Sequence, residues 1–185
     1  GIMLVISSPS GAGKTTLCRR IISEVPGVEL SISATTREPR PNERDASDYH
    51  FRSVEQFQDM IERDEFLEWA KVFKNFYGTP RSEVEARLVA GMDGVFDVDW
   101  QGARALKTIR PGDVVSIFIL PPSLAQLKHR LEGRPGADPK SVQSRLDGAG
   151  QDILRWGEYD YAIVNDNLDT AFAETQRLRA LLPED

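Results

Sequence analysis

The segment at residues 8–16 constrains the fold of this chain more than any other feature. It directly follows the apolar stretch at residues 3–6 and reads Ser8-Pro9-Ser10-Gly11-Ala12-Gly13-Lys14-Thr15-Thr16. A buried strand that leads through a glycine-rich turn into a helix leaves backbone N–H groups unpaired at the helix start, where they bind anions. Lys14 adds a positive charge, and the Thr15 hydroxyl is placed to ligate a magnesium ion that bridges two phosphates. The segment therefore predicts a loop that binds the phosphates of a nucleoside triphosphate.

The loop departs from the motif G-x-x-x-x-G-K-[ST] at its first position, where Ser8 replaces glycine. Ser8 must therefore adopt the backbone angles of that position with a side chain. The alternative interpretation is a simple turn beside an ordinary surface lysine. A helix pattern after the loop argues against it, because apolar residues recur at spacings of three and four before Pro26-Gly27: Leu17, Cys18, Ile21, Ile22 and Val25.

The length, charge and composition of the chain limit the kinds of molecule that it can bind. The chain has 185 residues, which is enough for one domain with a sizeable core. Its net charge of −6 argues against a general nucleic-acid-binding surface, so any phosphate site needs a local concentration of basic residues. No apolar run approaches the roughly 20 residues that cross a bilayer. The lone Cys18 is typical of a small core residue in a reducing compartment. We therefore expect a cytoplasmic protein that binds neither nucleic acid nor a membrane.

Short apolar strands alternate with helix patterns along most of the chain. The strands are predicted at residues 94–99, 114–120 and 161–164, and helices are predicted to begin near Pro80, after Asp99, and at Ser123, Pro139 and Leu168, the last one continuing to Leu182. This alternation predicts an α/β fold with a parallel sheet and helices on both faces. Residues 31–80 interrupt the alternation with strands at 49–51 and 66–73 and a short helix started by Ser53. They predict an inserted lobe of mixed structure.

Two pairs of charged residues have spacings that suit a site. Arg37 and Arg40 lie in a proline-containing segment, and in a polyproline-like helix with three residues per turn both guanidinium groups project from one side and can bind one phosphate. Two solvated arginines are the alternative. Asp97 and Asp99 lie two residues apart at the end of a predicted parallel strand, so they point to one face at the edge where ligands bind. Capping of the next helix is the alternative for Asp99.

Several further segments carry a resemblance to a known family. They are residues 33–40, 48–51, 65–69, 77–79, 97–102 and 127–133. In their order and spacing, the chain resembles the guanylate kinases from the phosphate loop to the last strand. The resemblance implies a P-loop nucleoside monophosphate kinase fold in which a mixed α/β GMP-binding lobe (32–80) and a helical lid (125–145) are inserted into a core (1–31, 81–124 and 146–185). It also implies that ATP phosphorylates GMP, and dGMP as well, with Mg²⁺ as cofactor and GDP and ADP as products.

The resemblance further assigns an acceptor site. Positions that match Arg37 and Arg40 bind the GMP phosphate, with help from Tyr49 and Tyr77. Positions that match Ser33, Glu68 and Thr79 read the guanine base, and Asp97 or Asp99 assists. Guanine presents two N–H donors and a carbonyl acceptor on its pairing edge, so a carboxylate beside a hydroxyl is complementary to it. Adenine would place an acceptor against Glu68, which leaves buried polar groups unpaired.

The remaining assignments concern the donor and the lid. Arg130, Arg134 and Arg145 match lid arginines that stabilise charge on the phosphoryl group in transit, and Lys14 and Arg37 complete the expected catalytic set. Thr15 and Asp97 are the residues expected to hold Mg²⁺. Asn165 and Asp166 match the family segment near adenine, although a common turn is the alternative. No general base is required, because the acceptor phosphate already carries about −1.5 to −2 charge near neutral pH.

Two other functions compete with this interpretation. Ribose-bisphosphate kinases have a related fold but lack the full set of guanine-reading residues present here. Scaffold modules derived from guanylate kinase bind phosphorylated peptides, but they generally have a degraded phosphate loop. The retention of Lys14 and Thr15 favours an active kinase.

Overall fold

The computed structural model describes residues 1–180. Its strands are β1 (Met3–Ser7), β2 (Val28–Leu30), β3 (Ala34–Thr35), β4 (His50–Phe51), β5 (Phe66–Val72), β6 (Asn75–Pro80), β7 (Asp93–Asp97), β8 (Val114–Leu120) and β9 (Tyr161–Val164). Its helices are α1 (Lys14–Glu24), α2 (Val54–Glu62), α3 (Arg81–Val89), α4 (Trp100–Ile109), α5 (Leu124–Glu132), α6 (Pro139–Ile153) and α7 (Leu168–Ala180). Among residues 1–180, no helix has the length and apolar character needed to cross a membrane.

The larger sheet is parallel and has the strand order β2-β7-β1-β8-β9. Successive residues of central β1 point to opposite faces, and every residue of this strand is buried. Leu4 and Ile6 pack in one cluster with residues of α1 and α7, whereas Met3 and Val5 pack in another with residues of α3 and α4. Helices therefore cover both faces, which confirms the predicted α/β class and explains why the strands are almost wholly apolar.

The smaller sheet is built from residues 34–80 and has the order β4-β3-β6-β5. It is mixed, because β3 pairs in parallel with β4 and antiparallel with β6. The sheet packs on α2, whose Phe57 ring lies 4.5 Å from the ring of Phe66 and 5.6 Å from that of Phe76, measured between centroids. A capping box at Ser53 begins α2 as the sequence predicts. This sheet with its own aromatic core is the inserted mixed structure.

Several predicted boundaries are corrected by the structure. The strand predicted at 94–99 ends at Asp97, because Asp99 caps α4 by accepting a hydrogen bond from the backbone N–H of Gly102 at 3.1 Å. The strand predicted at 66–73 ends one residue earlier, since Phe73 has φ +55° at the turn into β6. The closing helix is described as far as Ala180, and its predicted end at Leu182 lies outside the described residues.

Candidate active site

The loop between β1 and α1 has the backbone of an anion-binding turn. Gly11 and Gly13 have φ values of +98° and +95°, which glycine adopts without strain. Gly13 is the N-cap of α1, and among the described residues no side chain caps this helix start. Ser8 is not among the residues with positive φ, and its hydroxyl donates to the carbonyl of Pro9 at 2.9 Å. Serine is therefore accommodated at the motif's first position, and the N–H groups of the first turn face a potential ligand.

Asp97, at the carboxyl end of β7, joins two residues of this loop. One carboxylate oxygen lies 2.5 Å from Lys14 Nζ, and the other accepts a hydrogen bond from the Thr15 hydroxyl at 3.2 Å. Lys14 Nζ also donates to the carbonyl of Val98 at 3.0 Å. Burial acts to lower the pKa of Lys14, but the Asp97 carboxylate outweighs it and the pKa is raised. Lys14 is thus a fixed cation beside the helix start.

Asn165 contacts the phosphate loop, and Asp166 follows it at an exposed position. The Asn165 amide donates to the carbonyl of Ala12 at 2.8 Å, and a side chain on Gly13 would collide with that amide. Arg130 donates to the Asn165 carbonyl at 3.0 Å and reaches that of Asp166 at 3.5 Å. The structure therefore gives Asn165 a role in bracing the loop, alongside the contact with adenine that the sequence predicts.

Arg37 and Arg40 meet at a carboxylate that the sequence analysis did not single out. Both oxygens of Glu43 accept hydrogen bonds from one guanidinium nitrogen of Arg37 at 2.9 Å, and Arg40 approaches the same carboxylate at 3.8 Å. The guanidinium also lies 5.3 Å from the ring centroid of Tyr49, which packs edge-on against Tyr77. Arg37 and Arg40 thus approach the same carboxylate. The sequence does contain a signal for Glu43, because this residue continues the three-residue spacing of Arg37 and Arg40.

Glu68 and Thr79 form a buried polar pair on neighbouring strands β5 and β6. The Thr79 hydroxyl donates to one oxygen of Glu68 at 2.5 Å, and the Glu68 residue is only 8% exposed. Burial raises the pKa of Glu68 to about 7; the Asp99 carboxylate adds to the increase, while the hydrogen bond from Thr79 opposes it. Ser33 is buried at the start of the same lobe. The pair suits a ligand that presents N–H donors to a carboxylate.

Arg40, Arg134 and Arg145 lie near enough to one another for their charges to interact. Burial lowers the pKa of Arg134, and so do the nearby charges of Arg145 and Arg40. Arg145 also donates to the hydroxyl of Ser10 in the phosphate loop at 3.2 Å. Neighbouring guanidinium groups repel one another, so together they favour the binding of an anion between them. Two of the predicted lid arginines, Arg134 and Arg145, thus lie near Arg40, whereas the third, Arg130, contacts the carbonyls of Asn165 and Asp166.

Asp152 is a second acidic residue near the site that the sequence analysis did not single out. Its partial burial raises the pKa of its carboxyl group, with a further increase from Asp99. Asp152 lies on α6 seven residues after Arg145, so two helical turns place both residues on one face. That spacing is the signal that could have indicated it.

Two oxygen atoms beside the phosphate loop, from Thr15 and Asp97, are suitable ligands for Mg²⁺. Among residues 1–180, no group of three or more His, Cys, Asp or Glu side chains could hold a metal ion. Magnesium sites of kinases, however, use one or two protein oxygens and complete the shell with phosphate oxygens and water. The Thr15 hydroxyl and the Asp97 carboxylate supply such oxygens 3.2 Å apart.

Comparisons with known proteins agree with this geometry. The family model for guanylate kinase matches residues 2–180. A guanylate kinase of Hyphomonas neptunium is 57% identical over 98% of this chain and 82% of its own length, and one of Rhodopseudomonas palustris is 51% identical over 96% and 81%. The crystal structure of guanylate kinase from Anaplasma phagocytophilum superposes with a TM-score of 0.79 at 35% identity, covering 97% of this chain and 85% of that one. With this fold and this arrangement of residues, the chain belongs to the guanylate kinase family.

Proposed function

We propose that this chain transfers the γ-phosphoryl group of ATP to GMP, and to dGMP, giving GDP or dGDP together with ADP. It is an enzyme, a nucleoside monophosphate kinase of purine nucleotide metabolism. One observation carries the assignment of sites. Tyr49 of the lobe is half-buried and follows Asp48, whose carboxylate accepts a hydrogen bond from Arg19 of α1 at 2.9 Å; burial, followed by the charge of Asp97, raises the pKa of Tyr49 to about 12. The end of the lobe that contains Arg37 therefore faces the phosphate loop.

The acceptor base is recognised by Glu68. Its ionised carboxylate accepts hydrogen bonds from the two adjacent N–H donors of guanine, while Ser33, Thr79 and Asp99 complete the polar surface. The hydrogen bond from Thr79 at 2.5 Å fixes the direction of the carboxylate before a base arrives. Binding of a base with an acceptor at that position would set an acceptor against the buried carboxylate in place of a donor, which is strongly unfavourable.

The acceptor phosphate is bound by Arg37 and Arg40, with the hydroxyls of Tyr49 and Tyr77. The bidentate contact with Glu43 orients the Arg37 guanidinium in advance. Because the phosphate is already an anion, the protein needs to align it with the γ-phosphorus of ATP and does not need to remove a proton.

The donor triphosphate is held by residues 8–16, with Asn165 and Asp166 beside the adenine. Lys14, Arg130, Arg134 and Arg145 stabilise the negative charge that spreads over the transferred group, in a site from which water is excluded. Thr15 and Asp97 hold Mg²⁺. When bound, the ion neutralises charge on the phosphate oxygens of ATP.

We assign the acceptor site to a lobe at 32–80, the closing arginines to a lid at 125–145, and the phosphate loop to a core formed by 1–31, 81–124 and 146–185. The partners are the small molecules ATP and GMP, and the enzyme acts in the cytoplasm without nucleic acid or membrane.

The direct test compares ADP formation from ATP with GMP, dGMP, AMP, dTMP and ribose 1,5-bisphosphate as acceptors. We expect a preference for GMP over AMP of roughly 10⁴-fold in kcat/KM. A preference for ribose 1,5-bisphosphate would instead identify a sugar-phosphate kinase. Tight binding of a phosphopeptide without measurable ATP binding would identify a scaffold module.

A further inference from the structure

Gly102 lies at the contact between the start of α4 and the base-reading carboxylate of Glu68. It is the third residue of α4 and is buried. A Cβ atom built on Gly102 would lie 3.1 Å from Glu68 Oε2 and 3.0 Å from Cβ of Val98. Both distances are shorter than ordinary van der Waals contact between such atoms. The missing side chain at position 102 therefore leaves the space that one oxygen of Glu68 uses.

The groups around Gly102 are held in place. Its N–H donates to Asp99 at 3.1 Å, which fixes the start of the helix. The backbone of Val98 is fixed by its carbonyl, which accepts hydrogen bonds from the Ser7 hydroxyl at 2.9 Å and from Lys14 Nζ at 3.0 Å. The end of the Glu68 side chain is the more mobile neighbour. A methyl group at position 102 would consequently displace the carboxylate of Glu68.

The two oxygens of Glu68 have different surroundings. Oε1 accepts the hydrogen bond from Thr79, so that side of the carboxylate is fixed by β6. Oε2 lies against Gly102, so that side is fixed by the surface of α4. The position of the carboxylate is thus set by a hydroxyl on one side and by the absence of a Cβ on the other.

We infer that Gly102 is a specificity-determining positioning residue, which sets where the Glu68 carboxylate meets the acceptor base. This inference rests on the proposed function. It assigns no chemistry to Gly102, since the glycine acts through Glu68 and leaves the phosphate loop unaffected.

The test replaces Gly102 with alanine. Alanine keeps the N–H that bonds to Asp99 and has a higher helix propensity, so the added methyl group is the main perturbation. We expect KM for GMP to rise roughly 5- to 100-fold, as when a methyl group is forced into a packed site, and the preference for GMP over IMP, which lacks the 2-amino donor, to fall. KM for ATP should change by less than about two-fold.

Gly150→Ala is the matched control. Gly150 lies in α6, and within residues 1–180 nothing lies within 4 Å of a Cβ built on it. This variant makes the same chemical change in a helix without the clash, so its KM for GMP and its preference for GMP over IMP should equal those of the parent.

A double-mutant cycle with Glu68→Asp links the effect to the carboxylate. Aspartate is one methylene shorter, so Gly102→Ala should raise KM for GMP by less than about three-fold in the Glu68→Asp background. If Gly102→Ala alone folds poorly, the yield of folded protein should recover in part in Gly102→Ala/Glu68→Asp, because only the contact with Val98 remains.

Three results would overturn the inference: an unchanged KM for GMP in folded Gly102→Ala, equal increases in KM for GMP and ATP, or an effect of Gly102→Ala on KM (on yield, if the single variant folds poorly) that Glu68→Asp does not reduce. If the parent enzyme phosphorylates GMP and any of these three results is found, only the role of Gly102 is contradicted. A parent enzyme that does not phosphorylate GMP contradicts the proposed function itself.

Discussion

Replacing Glu68 with glutamine should change how the stability of the ligand-free protein depends on pH. Burial raises the pKa of Glu68 to about 7 from its ordinary value of 4.5. A carboxyl group with a raised pKa in the folded state favours folding when it is protonated. The contribution of Glu68 to the free energy of unfolding is fully present below pH 4.5 and is lost as the pH rises through 7. Between these pH values the folded state binds more protons than the unfolded state, so stability falls as the pH rises.

The magnitude follows from the same two values. The difference between 4.5 and about 7 corresponds to about 3 kcal/mol in total. Between pH 5.5 and 8.5, the titration of Glu68 should lower the free energy of unfolding by about 2 kcal/mol, since part of the change lies below pH 5.5. Glutamine cannot ionise, so the Glu68→Gln variant should gain about 2 kcal/mol relative to the parent over this range.

Urea unfolding at pH 5.5, 6.5, 7.5 and 8.5, without nucleotide, measures this difference. Glu62→Gln is the control, because it removes one carboxylate from an exposed position of α2. The reasoning would be refuted if the difference between Glu68→Gln and the parent stayed constant from pH 5.5 to 8.5, or if Glu62→Gln showed the same trend.

Three further predictions concern the two nucleotide sites. Lys14→Ala should lower kcat roughly 10²- to 10³-fold with a much smaller change in KM for GMP, as steady-state kinetics with varied GMP will show. The affinity for GMP should rise roughly 5- to 10-fold between pH 6 and 8, because the ionised carboxylate of Glu68 accepts hydrogen bonds from the guanine N–H groups. Calorimetric titration should show that Glu68→Gln lacks this rise and retains only the pH dependence caused by the GMP phosphate. Gly11→Ala should lower the free energy of unfolding, measured in urea, by about 1–3 kcal/mol more than Gly91→Ala does. Both glycines have positive φ, but only a Cβ on Gly11 would meet Leu131 (2.9 Å) and Leu127 (3.0 Å). Equal losses of stability in the two variants would contradict this packing.

The sequence predicts the larger sheet better than the smaller one. The strands β1 and β8 are apolar except for one serine each, a pattern that follows directly from burial on both faces. By contrast, β3 of the smaller sheet has two residues, too few for any period to be recognised. The same holds for β2, a three-residue strand at the edge of the larger sheet. Strand β6 contains Gly78 and ends in Pro80, so its residues have low strand propensity. It forms because β5 and β3 pair with it on either side, which is information from distant parts of the chain.

The candidate site shows a similar division. Lys14 and Thr15 could be predicted from neighbouring residues alone, because the loop and the helix that orient them are local. The side chains around Arg37 could be predicted only in part, since polyproline spacing indicates which groups share a side but not which carboxylate they meet. The position of Gly102 beside Glu68 depends on the packing of α4 against β5, which has no local signature, whereas the only local signal for Asp152 is its seven-residue spacing from Arg145. The roles of the site residues remain predictions.

The convergence of Arg40, Arg134 and Arg145 has a consequence for wasteful ATP hydrolysis. Arg40 belongs to the proposed lobe, whereas Arg134 and Arg145 belong to the proposed lid, so mutual repulsion opposes the approach of the two. In the proposed enzyme, the acceptor phosphate adds negative charge beside the phosphates of ATP, whereas a water molecule in its place adds none. We therefore expect closure around both nucleotides to be more favourable than closure around ATP alone, which would disfavour water as the nucleophile.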